Sequence, residues 1–197
     1  MIKIKEIPGS VISYSILKSM LKRSKGYPPL IENAIDLNEQ LQPNGFELTI
    51  KKVEEFSQYD SGRIAFDNSE RKLPETCEMK FDSDYWLFLP TGYYKIIFNE
   101  KVNIPKDIMA FGAPRSSLLR SGVSIETAIW DAGYSGRSEC LLIVYAKAGF
   151  YIKKDARILQ LIFVKLSKIS SRGKSYSGDY QYEHELLKQP EISDYLK

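Results

Sequence analysis

The sequence predicts a mainly β domain, an all-β barrel or sandwich preceded by a short N-terminal helix. Three observations carry that expectation. Apolar segments are short and numerous, at 85–89, 93–98, 108–113, 125–130, 140–145 and 158–166. Turn-forming residues separate them, among them Pro90, Gly92, Pro105, Gly122, Gly133, Gly136 and Gly149. A strand-period alternation opens the series, with Phe46, Leu48 and Ile50 facing one way and Glu47, Thr49 and Lys51 the other. Strands at this spacing exclude an alternating parallel α/β fold.

In chain order, residues 10–23 read as a helix with Ser10 as its cap. Ile12, Ile16, Leu17, Met20 and Leu21 share one face, and Gly26, Pro28 and Pro29 stop it. Residues 57–80 are polar and irregular around Pro74, which predicts a long excursion rather than a core element. Residues 167–180, rich in Ser, Gly and Lys, read as mobile, and a last short helix is expected over 182–188. No internal repeat or boundary divides the chain. The expectation is one domain over 1–197, with an N-terminal helical arm to residue 26 and a mobile C-terminal tail from residue 167.

With 197 residues, 43% of them hydrophobic, the chain can bury a core without metals or disulfides. Its longest apolar run, 140–146, is too short to cross a bilayer, and the start MIKIKEIPGS lacks the pattern of a secretory signal. Cys77 and Cys140 form neither a disulfide framework nor a metal knuckle. The expectation is a soluble cytoplasmic domain with no membrane partner. The net charge of +3 is unevenly placed: residues 1–26 carry +5, residues 32–100 carry −7 and residues 153–174 carry +6. Basic ends suit phosphate contacts, but a solvated surface is the more common reason for them, so nucleic acid is not the expected partner.

Conventional sites fit poorly. The single His184 lies in the polar tail, which argues against a zinc centre or a nucleophilic triad, and no glycine-rich P-loop is present. Two segments remain. Pro114-Arg115-Ser116-Ser117, with Arg120 one turn on and Gly122 as a stop, would present free amides, two hydroxyls and two guanidinium groups to an anion. A capped surface turn is the bland alternative. Residues 130–137 read as a β-hairpin whose glycines let the backbone approach a ligand. Asp131, ending an apolar strand and partly desolvated there, could orient and deprotonate water or merely accept turn amides.

Taken together, PRSSL (114–118), DAGYSG (131–136) and ARILQLIF (156–163) resemble the ordered motifs of the trimeric dUTPase and dCTP deaminase superfamily. QPNGFEL (42–48) resembles its first motif, usually QPxxxDL. FDNSERKLPE (66–75) and YSGDYQ (176–181) are similar to its archaeal dUTPase branch. The resemblance spans residues 27–182 and implies a distorted β-barrel of jelly-roll kind (a β-clip). It also implies a homotrimer with active sites between subunits and Mg2+-dependent cleavage of dUTP to dUMP and pyrophosphate. By that resemblance Arg115, Ser116, Ser117, Arg120 and Gln160 hold the phosphates. Asp131 activates water and bonds the sugar hydroxyl, and Tyr134 lies beneath the deoxyribose. The backbone of Ala132, Gly133, Tyr134, Gly136 and Arg137 reads the pyrimidine, and Tyr176, Tyr180 and Gln181 form a tail lid. Magnesium rides on the triphosphate, with Glu47 reaching it through water.

Two departures stand out. Glu47 replaces the family's usual aspartate, and the glycine-rich arginine motif that closes most dUTPase sites is missing. The deaminases carry a glutamate ten residues after the hairpin aspartate; here that position is Leu141, with Glu139 two residues earlier on the same face. dUTP hydrolysis is therefore the expected activity. A dCTP deaminase, a bifunctional enzyme, or a non-catalytic nucleotide-binding regulator are the alternatives.

Overall fold

The computed structural model describes residues 7–22, 28–168 and 176–185. Helix α1 (Tyr14–Met20) is followed by strand β1 (Ile31–Glu32), the one-turn helix α2 (Leu37–Gln40), β2 (Leu41–Gln42) and the long β3 (Gly45–Phe56). After the excursion come β4 (Thr76–Glu78), β5 (Trp86–Leu89), β6 (Gly92–Phe98), β7 (Lys101–Asn103) and β8 (Ile108–Pro114). The short helix α3 (Ser116–Arg120) then leads to β9 (Val123–Glu126), β10 (Ser135–Gly136), β11 (Glu139–Val144), β12 (Phe150–Lys153) and β13 (Arg157–Lys165).

All named pairings are antiparallel. The main sheet runs β8-β13-β3-β6-β11-β9, with β2 and β4 also on β3; β1-β7-β10 and β12-β5 form two smaller sheets. β3 organises the bend of the main sheet. Its first half pairs with β13 and its second with β6, with register irregularities at Ile50/Lys52 and at Arg157/Leu159 that turn the strand from one layer to the next. The sheet comes round on itself at Trp130, just beyond β9. Trp130 and Ala110 of β8 exchange both backbone hydrogen bonds, at 2.9 and 3.0 Å. The result is a nearly closed barrel, and Asp131 is the first residue past its seam. Phe46, Leu48, Ile50, Ile96, Phe98, Leu142, Leu159, Leu161 and Phe163 fill the interior.

Three local expectations require correction. The N-terminal helix begins at Tyr14, not Ser10, because Val11 and Ile12 join the barrel edge instead: Val11 bridges Val164 and the Ile12 amide donates to the Phe163 carbonyl. β-branched side chains suit that extended edge better than a helix start. The alternation in β3 does not separate a wet face from a dry one. Glu47 and Thr49 are as buried as Phe46 and Leu48, because the second face is covered by a polar network. In it, Thr49 and Gln40 donate to the buried Glu100 carboxylate at 2.6–2.9 Å, and Gln40 also donates to the Glu47 carbonyl. Burial pushes the Glu100 carboxyl up, against those hydrogen bonds. Finally, residues 181–185 form turns, with Tyr182 and His184 at positive φ, so no helix starts at 182; the rest of the helix expected over 182–188 lies outside the described residues. The remainder of the expected mobile tail, 169–175 and 186–197, also lies outside them, as do residues 1–6 and 23–27 of the N-terminal arm. No helix among the described residues is long and apolar enough to cross a membrane.

Candidate active site

The seam opens into a mostly apolar cavity of about 570 Å³, a volume that suits a nucleoside-sized ligand. Its position follows from where strands part. β9 and β11 stay in register as far as Glu126↔Leu141, after which both chains continue as opposite walls, Ala128 to Asp131 on one side and Ser138 to Cys140 on the other. Across the gap the Trp130 indole N–H donates to the Ser138 hydroxyl at 2.9 Å, tying the walls together at depth. Leu141 and Glu139 line the same cavity. Asp131 sits exposed at its rim, which corrects the expectation of a partly desolvated carboxylate.

Residues 130–137 do not form the expected β-hairpin of their own, because Trp130 pairs with β8 and β10 pairs with β7; they form the loop of the wider β9–β11 hairpin, and backbone bonds anchor it. Gly133 donates to Ile104, Ile104 donates to Tyr134, and Ser135 and Gly136 pair with Asn103 and Val102. Gly133 has φ 90°, which admits glycine readily. A Cβ on Gly136 would lie 2.7 Å from the Tyr134 hydroxyl, so its bare backbone is what lets the Tyr134 ring fold down into the cavity wall. Tyr134 is buried and donates to the Glu183 carboxylate at 2.6 Å. Burial, reinforced by that hydrogen bond, pushes the Tyr134 phenol far above its ordinary value, so it remains a donor.

Glu183 belongs to the tail, which is docked along the free edge of β10. Tyr182 N–H donates to the Ser135 carbonyl, Arg137 N–H to the Glu183 carbonyl, and Tyr176 N–H to Ala132. The Gln181 amide accepts from Ser135 N–H and donates to the Gly133 carbonyl, both at 3.1 Å. Tyr176 stands edge-on to Tyr134 with ring centroids 5.6 Å apart. The hairpin backbone at 132–137, expected to read the pyrimidine, therefore holds the tail, and the cavity is lined by the parted strands together with Leu73, Lys95, Tyr176, Tyr180 and Glu183. At the mouth, Glu139 accepts from His184 at 2.6 Å and lies 3.4 Å from Lys95. Burial opposes its ionisation, but the His184 hydrogen bond and the Lys95 charge win and hold Glu139 below the usual carboxylate range. Burial pushes Glu183 up, only partly offset by Tyr134.

The anion-type segment lies elsewhere. Arg115 precedes α3, Ser116 and Ser117 occupy its exposed first turn, and Arg120 is exposed in its last. Gln160 sits in β13 between Ala113 and Glu47, beside this turn. Glu47 is buried with its oxygens 2.6 Å from Arg115 Nε and 3.2 Å from Arg157 Nη1. Arg157 lies in the ARILQLIF motif, but no role follows for it from the sequence, because its partner Glu47 is more than a hundred positions away. A second, smaller hollow contains Arg115, Ser117 and Arg157 and shares no lining residue with the first cavity. Along β8, Arg115 is five residues beyond Ala110, the partner of Trp130, or roughly 16 Å of strand. The structure thus brings Asp131, Tyr134, Tyr176 and Tyr180 together, and separately Arg115, Ser117, Gln160 and Glu47. Among the described residues no group of three or more His, Cys, Asp or Glu side chains could hold a metal ion.

A nearly closed antiparallel barrel with a cavity at its seam defines a protein of the β-clip class. The chain belongs to the dCTP deaminase-like family, whose model matches residues 20–166. It is 49% identical over 175 residues to a probable deoxyuridine 5'-triphosphate nucleotidohydrolase of Methanosarcina mazei, covering 89% of this chain and 98% of that one. A protein of the same name from Methanococcoides burtonii is 52% identical over 157 residues, 80% of this chain and 90% of the other. Among solved structures, the 2'-deoxycytidine 5'-triphosphate deaminase of Agrobacterium tumefaciens shares the fold, with a TM-score of 0.60 at 16% identity over 81% of this chain and 49% of that one.

Proposed function

We propose that this protein is an enzyme that hydrolyses dUTP to dUMP and pyrophosphate. The observation that carries the reading is an exposed carboxylate, Asp131, at the rim of a nucleoside-sized cavity whose wall contains the buried Tyr134. The names of the archaeal relatives supply the substrate. The uracil ring enters between the parted strands, and the deoxyribose rests on Tyr134, which leaves no room for a 2'-hydroxyl. Asp131 accepts a proton from water as the water oxygen bonds to the α-phosphorus. The bond from that phosphorus to the α–β bridging oxygen breaks, and pyrophosphate departs. Arg115, Ser116, Ser117, Arg120 and Gln160 bind the phosphate chain.

The separation of the two half-sites supports a trimer in which a neighbouring copy supplies the phosphate turn, a closed cyclic arrangement that completes every site. Magnesium fits as an ion carried by the triphosphate, since the described residues offer no cage of ligands for it; bound there, it would neutralise phosphate charge. The Glu47 oxygens face two arginines, so Glu47 acts by positioning them. Deamination is disfavoured at this cavity: Leu141 has no proton to relay, and Glu139 is held ionised by His184 and Lys95.

A pyrophosphate-release assay with dUTP and magnesium, run beside ammonia release from dCTP, tests the reading. dUTP turnover is expected, with no ammonia. Asp131→Asn should keep the fold and nucleotide binding while losing about 10²–10⁴-fold in rate. Parental turnover in that variant would sink the assignment, and nucleotide binding without any turnover would favour a regulator.

A further inference from the structure

The excursion between β3 and β4 is braced like a built element, although little of it is buried. Arg63 and Lys72 exchange backbone hydrogen bonds at 2.8 and 2.9 Å, and Arg63 Nε donates to the Glu70 carbonyl at 3.0 Å. Asp67 accepts from the Ser69 amide and starts a single 3₁₀ turn, Asn68–Glu70. That turn presents Asn68 and Arg71 toward the C-terminal tail. Arg71 Nη2 lies 2.7 Å from the Asp179 carboxylate, and Asn68 Nδ2 donates to the same oxygen at 3.1 Å. The Arg71 guanidinium also stands 5.1 Å from the centroid of the Tyr180 ring. Just beyond, Leu73 and Pro74 line the same cavity as Tyr176 and Tyr180.

We propose that the excursion 57–75 is an internal half of the cover over the seam cavity, and that Arg71 and Asn68 clasp the tail to it through Asp179 and Tyr180. The idea rests on the cavity being the nucleoside site, and it assigns the internal loop a job that the tail alone would not perform. The tail is joined to the hairpin by backbone bonds on one side and to the excursion by side chains on the other. Opening the clasp frees the tail's outer edge and admits a nucleotide; closing it shields the base and sugar from bulk water. Arg71 and Asn68 are positioning residues, since neither lines the cavity.

Hydrogen exchange on the ligand-free protein reads the clasp directly, because the Ser135, Arg137 and Tyr182 amides are bonded across the tail–hairpin junction. Arg71→Ala removes an ion pair and a cation–π contact, so those three amides should exchange about 3–10-fold faster. Asp179→Asn, which keeps the Tyr180 contact, should give a smaller effect of about 2–5-fold. Arg71→Asp combined with Asp179→Arg should exchange more slowly than either single reversal. In turnover, Arg71→Ala should raise KM for dUTP more than it lowers kcat. Unchanged exchange in both Arg71→Ala and Asp179→Asn, or no recovery in the swapped pair, overturns the clasp. These exchange measurements need no nucleotide, so a parent that fails to hydrolyse dUTP would overturn the proposed activity while leaving the clasp to stand or fall on its own.

Discussion

The seam cavity and the phosphate turn are built on opposite plans. The cavity is walled by Trp130, Tyr134 and Tyr176, bordered by residues of the tail and the excursion, and carries two exposed carboxylates, Asp131 at the seam and Glu126 at the end of β9. Its two less exposed acids are occupied: Glu183 by Tyr134, Glu139 by His184 and Lys95. The phosphate turn has no roof. Ser116, Ser117 and Arg120 are exposed, and the deeply buried charge beside them is Glu47, which pairs with the half-buried Arg115 and Arg157. A planar, largely apolar base needs enclosure. A highly charged phosphate chain needs cations kept wet and in place. Under the proposed function each region would serve one half of the recognition of a nucleoside triphosphate.

If the halves meet only between subunits, two defective chains should repair one another. Asp131→Asn and Arg115→Ala are each expected to be nearly inactive. Co-assembled in equal amounts they should recover about a quarter of parental turnover, because one site in four then combines two intact halves. Absence of recovery in mixed oligomers, verified by light scattering, would break the division of labour and return both halves to a single chain.

A smaller effect should distinguish the wet half from the roofed one. Glu47→Gln keeps the shape of the side chain but removes the charge between the two arginines. We expect a loss of about 1–3 kcal/mol in urea unfolding and roughly a tenfold rise in KM for dUTP. Tail protection should not change. Faster exchange at Arg137 and Tyr182 in this variant would show that the two regions are coupled within one chain.

The least expected effect concerns pH. Docking raises the Glu183 pKa, with burial as the main cause, so the docked tail binds the proton more tightly than the free tail. Its contribution is complete below the ordinary carboxylate range and is lost as pH rises through the elevated value. Glu139 behaves oppositely: its lowered pKa makes docking weaken as pH falls through that value. Glu183→Gln retains an acceptor for Tyr134 and removes the upper limb alone. Amide exchange at Tyr182 near neutral pH should slow by about threefold, and its rise above the carboxylate range should flatten. An unaltered profile would remove Glu183 from the account.

Much of this arrangement is legible in the residues. The strand segments, the helix after Arg115, the turn after Asp131 and the polar excursion all come from patterns that repeat within a few positions. Turn chemistry and alternation act locally, so one chain segment is enough to show them. The ordered motifs add the superfamily, and with it the pairing of Asp131 with Tyr134 and of Arg115 with Gln160. The start of α1 was misplaced because the edge of β13, far along the chain, competes for Val11 and Ile12. Likewise Thr49 and Glu47 look solvent-facing until Glu100, Arg115 and Arg157 are brought beside them.

The sequence by itself determined the β architecture and the positions of the turns, because each depends on neighbours a few residues away, while the candidate catalytic and phosphate-binding side chains are what its resemblance to the superfamily implies. Only the tertiary structure decided that Trp130 closes the barrel onto Ala110, that Asp131 opens to solvent at the resulting seam, and that Arg71 grips Asp179 more than a hundred positions away. Those contacts join segments whose separation carries no periodic signal. They form because closing the sheet leaves particular edges, gaps and charges facing each other, and the free energy of satisfying them depends on the assembled fold rather than on any local run of residues.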